Sequence, residues 1–118
     1  MMTLQKLRQR KELRKKELDR NLERIKKQLI DMGALKIILF GSYAQGQVRS
    51  SSDIDLLAVM PSHRSGKDWM GKIYKEVDRE VDCDILAYTK KELEDKIPVS
   101  RFLRYALDTG KIIYERGS

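Results

Sequence analysis

The chain of 118 residues is long enough for one domain with a packed core, and its 41% hydrophobic and 36% charged content suits a highly charged globular protein. No apolar run approaches a membrane span and no signal-peptide core opens the sequence, which argues against a membrane partner; the lone Cys83 excludes an internal disulfide and fits a cytoplasmic setting. With His63 the sole histidine, a His/Cys zinc centre is excluded too.

The net charge of +7 is unevenly spread. Residues 1–16 carry Lys6, Arg8, Arg10, Lys11, Arg14, Lys15 and Lys16 against Glu12. The remaining 102 residues are nearly neutral, so a basic arm is attached to an almost uncharged body. Residues 4–32 read as one long helix with neither Gly nor Pro inside it. Leu18, Leu22, Ile25, Leu29 and Met32 make an apolar stripe along it, and Gly33 supplies the stop. Before Leu18 the stripe fails at Lys11 and Arg14, so the first half is expected to project or to meet a partner. This divides the chain into a basic helical extension, 1–17, and a domain, 18–118.

Residues 35–40 read as a buried strand, and Gly41-Ser42 opens a turn and a short helix. Residues 47–52 are loop, 53–60 a second strand stopped by Pro61, and 61–67 a loop placed to move over a ligand. Trp69, Ile73, Tyr74 and Val77 suit an amphipathic helix over 68–79, with Trp69 and Tyr74 in the core. Residues 81–88 make a third strand that buries Cys83, and Thr89-x-x-Glu92 is a capping box. Pro98 separates that helix from a last one bearing Phe102, Leu103, Ala106 and Leu107, ended by Gly110 before an edge strand at 111–114. The fold class is α/β (α+β): a small mixed sheet flanked by helices.

Alternate residues of a strand share a face, so Asp53 and Asp55 point the same way. Two carboxylates so close repel unless a cation joins them, and hard oxygen ligands favour Mg²⁺. Asp82 and Asp84 likewise share a face of the third strand, and one of them can complete a three-carboxylate site for two metal ions if the strands are neighbours. Gly41 lets a backbone approach a phosphate, and the Ser42 hydroxyl adds a donor. Together these halves make a phosphoryl- or nucleotidyl-transfer site; no Walker lysine follows the turn.

The segments GSYAQG, SDIDLLAV and VDCDILAYTKKELE resemble the minimal nucleotidyltransferases of the DNA polymerase β superfamily, in which Gly-Ser precedes Asp-x-Asp by ten residues. The resemblance runs from residue 35 to the end, FLRYALDTGKIIYERGS included. It implies a polymerase-β-like nucleotidyltransferase fold. Gly41 and Ser42 would then hold the β- and γ-phosphates of a nucleoside triphosphate, and Asp53 and Asp55 two Mg²⁺ ions. Asp84 would be the third acid, binding metal and helping to deprotonate the acceptor, with Asp82 its substitute. It further implies ATP as donor of AMP and a tyrosine of a HEPN-domain toxin as acceptor, which would make the chain an antitoxin. The family commonly has Arg where this chain has Gln45; Arg49 is a replacement for that charge. Two other readings follow: a non-catalytic module that neutralises its partner by binding, or transfer to a small molecule such as an aminoglycoside. RNA is a further partner for the basic helix, and the sequence leaves room for a homo-oligomer.

Overall fold

A computed structural model describes residues 3–46 and 54–117. Helix α1, Leu4–Asp31, is capped by the Thr3 hydroxyl, which accepts from the Lys6 amide, and Gly33 ends it at φ +105. Strand β1, Lys36–Phe40, leads into the single turn of α2, Gly41–Ala44. Strand β2, Ile54–Met60, is followed by α3, Gly66–Glu76, then β3, Cys83–Thr89, and α4, Lys90–Lys96. A short 3-10 turn at Ile97–Val99 precedes α5, Arg101–Thr109, and strand β4, Lys111–Glu115. The sheet order is β3-β2-β1-β4, with β2 and β3 parallel and both pairings of β1 antiparallel.

Strand β2 has neighbours on both edges and cover on both faces, which is why it reads as a nearly continuous apolar run. On one face Ile54, Leu56, Ala58 and Met60 pack with Leu18, Ile25 and Leu29 of α1 and with Trp69 and Ile73 of α3. On the other, Leu57 and Val59 pack with Ile38 and Phe40 of β1 and with Leu103 and Ala106 of α5. The parallel pairing needs a crossover, and α3 supplies it.

Helix α1 also fixes the approach to β3. Arg24 donates to Asp78 at 2.6 Å and to Glu80 at 2.8 Å, Gln28 bonds both the amide and the carbonyl of Asp78, and buried Asn21 accepts from the Glu80 amide at 3.3 Å. The basic half of the helix behaves otherwise: residues 3–13 are all exposed, Leu4, Leu7 and Leu13 among them. The helix itself is unbroken across residues 17 and 18.

Three expectations need correction. Tyr74 is not in the core: it is 74% exposed beneath the Arg79 guanidinium, while Trp69, Ile73 and Val77 are buried. Phe102 lies half exposed, because the buried edge of α5 is carried by Leu103 and Ala106. The 61–67 loop begins beyond Met60, about 17 Å along β2 from Asp55, so it does not reach over that residue. Instead it folds onto Trp69, whose Nε1 donates to the Pro61 carbonyl at 2.8 Å, with His63 edge-on and Arg64 above the same ring.

The Thr89/Glu92 capping box forms, and Glu92 does more than cap. Its carboxylate accepts from the Thr89 amide at 2.8 Å and the Gly66 amide at 2.9 Å, joining the starts of α4 and α3. These backbone donors, Thr89 foremost, hold the Glu92 carboxyl below its ordinary range. Glu92→Ala is expected to cost about 1–2 kcal/mol in urea unfolding near neutral pH. Because the folded-state pKa is lowered, this difference is full above the ordinary glutamate value and closes as acid protonates the folded carboxylate. A constant difference down to acid pH would contradict the assignment.

Candidate functional site

Strand β1 ends at Phe40, and β2 and β3 begin beside it, so three strand termini meet at one end of the sheet. Phe40 pairs with Asp55 across the antiparallel ladder, and Asp55 pairs with Asp84 across the parallel one. Register therefore places Asp84, not Asp82, directly beside Asp55. Paired parallel strands lie about 4.8 Å apart, so the two carboxylates project from adjacent positions on one face. Like charges so placed repel each other. The fold tolerates such a cost, and a cation between the groups would reverse it. Asp55 is half-buried and Asp84 exposed.

Gly41 takes φ +83 immediately after Phe40, a conformation that favours glycine. A β-carbon there would land on Oδ2 of Asp55. The glycine thus has a steric reason as well as a conformational one: it lets the turn lie flat against the carboxylate. Ser42 follows, half-buried in the first turn of α2, whose N-cap Phe40 has no side-chain oxygen to occupy the helix amides.

This turn is held from both sides. The Tyr43 hydroxyl donates to Asp19 of α1, and burial first, then that bond, pushes its pKa up. Gln45 donates to the Thr109 carbonyl at the end of α5, at 3.1 Å. Gln45 is thus a tether in this chain at a position where arginine was the expected residue. Neither Tyr43 nor Asp19 stood out in the sequence, since their contact spans 24 positions and belongs to no motif.

Gly41, Asp55 and Asp84 line a single cavity of about 570 Å³, together with Phe40, Phe102 and Tyr105. Asp82 does not line that cavity; it borders a second cleft, which Asp84 also lines, with Tyr74 and Arg79, and its carbonyl accepts from the Ile54 amide at 3.2 Å. Cys83 is buried between the two acids, as its strand position requires. Asp53 and Arg49 lie outside the described residues. Among the described residues no three acidic, histidine or cysteine side chains gather into a metal-binding group. Two carboxylates with room for water and phosphate suit magnesium's preference for few protein ligands.

A family model described as a nucleotidyltransferase domain matches residues 10–115. The chain belongs to this family. No curated protein and no solved structure matches it. As a nucleotidyltransferase domain its general activity is nucleotidyl transfer, and the mixed sheet with flanking helices is consistent with the family's fold. The match begins at residue 10, inside the basic half of α1, further toward the amino end than the resemblance that started at residue 35. Among the described residues no helix is long and apolar enough to cross a membrane.

The Gly41 geometry makes a direct prediction. Gly41→Ala is expected to lose about 2 kcal/mol or more of stability in urea unfolding, from backbone strain and collision with Asp55. A loss below about 0.5 kcal/mol would show that the turn does not lie against the carboxylate as described.

Proposed function

We propose that the chain is a Mg²⁺-dependent nucleotidyltransferase that moves AMP from ATP to a hydroxyl acceptor. The reading rests on one observation: Asp55 and Asp84 are paired in register, and Gly41 lies against the Asp55 carboxylate, on the wall of the same cavity. Asp53, Asp55 and Asp84 would hold two magnesium ions, and Gly41-Ser42 would contact the β- and γ-phosphates. Magnesium, when bound, would draw charge from the triphosphate oxygens and make the acceptor hydroxyl more acidic. The acceptor oxygen forms a bond to the α-phosphorus, the α–β bridging P–O bond breaks, and pyrophosphate leaves. Asp84, the more exposed carboxylate, takes the hydroxyl proton.

In this reading the acceptor arrives on a partner. A tyrosine of a HEPN-domain toxin fits that requirement, and the chain then acts as its antitoxin. Residues 1–17 form a distinct functional extension, and the exposed basic helix within it serves partner contact.

Incubation with labelled ATP, Mg²⁺ and the HEPN partner should transfer one or more AMP groups to the partner, read by intact mass. Asp55→Asn and Asp84→Asn should each reduce transfer by about 100-fold or more while leaving the complex intact. Full partner inhibition by both variants would instead identify neutralisation by binding alone. Removing residues 1–13 should weaken the complex yet leave the melting temperature within a few degrees, because residues 3–13 bury nothing.

A further inference from the structure

The lining of the acid cavity also carries aromatic rings. Phe102 and Tyr105 stand three residues apart on α5, share one face of it, and are 51% and 61% exposed. Phe102 meets Phe40 edge to face, with ring centroids 5.6 Å apart. Apart from that contact, both rings leave apolar surface uncovered beside charged groups among the described residues. Their helix is nonetheless firmly seated. Leu103 and Ala106 are buried against the sheet, Gln45 bonds the Thr109 carbonyl, and Gly110 lies so close to Ile38 that a β-carbon there would come within 2.7 Å of its Cγ2.

We infer that Phe102 and Tyr105 are the stacking wall for the base of the nucleotide donor. The cavity lining combines two chemically different sets of groups, and a nucleoside triphosphate has two matching parts. Carboxylates and the Gly41 turn suit a magnesium-bound polyphosphate, while the rings suit a planar base, which stacks through its π-face. A volume of about 570 Å³ lies within the ordinary range for small-ligand sites. The acceptor can be positioned by its own carrier, whereas the donor must be gripped by this chain. Phosphate contacts alone cannot orient the base end, and the rings supply that missing contact.

The inference rests on the nucleotidyl-transfer reading, and binding of two probes separates them. MgATP and magnesium tripolyphosphate are titrated calorimetrically into the wild-type chain, Phe102→Ala and Tyr105→Ala. Wild type should bind both, with ATP the tighter. Each variant should bind ATP about ten-fold more weakly and tripolyphosphate unchanged. Unchanged tripolyphosphate binding also reports an intact fold, and Tyr105, the more exposed ring, provides a test if Phe102→Ala fails to fold. ATP affinity unchanged in the variants, or equal losses for both probes, would overturn the stacking wall while leaving nucleotidyl transfer standing. Wild type binding neither probe would overturn both readings.

Discussion

Strand β2 is the constraint on which the rest of the structure depends. It is paired on both edges and covered on both faces, so six of its seven residues are buried and apolar. Such a strand can carry a carboxylate only where its cover runs out, and Asp55 stands there, one residue inside the start of the strand. The parallel partner β3 must begin at the same end, because α3 brings the chain back before β3 sets out. Asp84 is therefore beside Asp55 as a consequence of strand direction. Antiparallel β1 must finish at that end, which delivers Gly41-Ser42 to the same place.

Helix α1 serves this arrangement with only part of its length. Its second half seals one face of the sheet and stitches the approach to β3 through Asn21, Arg24 and Gln28. Asp19, at the boundary, anchors the site turn through Tyr43. Since α1 runs back along the sheet to meet the site turn at Asp19, its exposed first ten residues, 4–13, extend for about 15 Å beyond that contact. The basic arm and the acid cavity thus share one end of the molecule.

The α5 face shows how a departure from a family pattern can be absorbed. Gln45 forgoes the charge of arginine, but its amide reaches the Thr109 carbonyl and ties the glycine-serine turn to the helix that carries Phe102 and Tyr105. One turn of helix at Gly41–Ala44 would be marginal by itself. Clasped by Asp19 on one side and Thr109 on the other, it becomes part of a rigid frame around the cavity.

Local patterns carried much of this in the sequence alone. The long helix with its stop at Gly33, the three principal strands and the capping box at Thr89 follow from periodicity, caps and glycine stereochemistry, which act over a few residues, while the Gly-Ser/Asp-x-Asp spacing was legible through the family resemblance. The same rules place acids at alternate positions without saying which one faces a neighbour: strand periodicity leaves Asp82 and Asp84 equivalent, the resemblance favours Asp84, and the register sets Asp84 beside Asp55. Helical spacing likewise put Phe102 and Tyr74 on apolar stripes, and only the position of the sheet decided which rings had anything to pack against. The steric need for Gly41 and the tethers of Tyr43 and Gln45 join residues from 14 to 64 positions apart. Sequence by itself determined which chemistry the residues could perform. Tertiary structure decided which residues meet, because register, strand direction and helix seating are settled by the packing of the whole core.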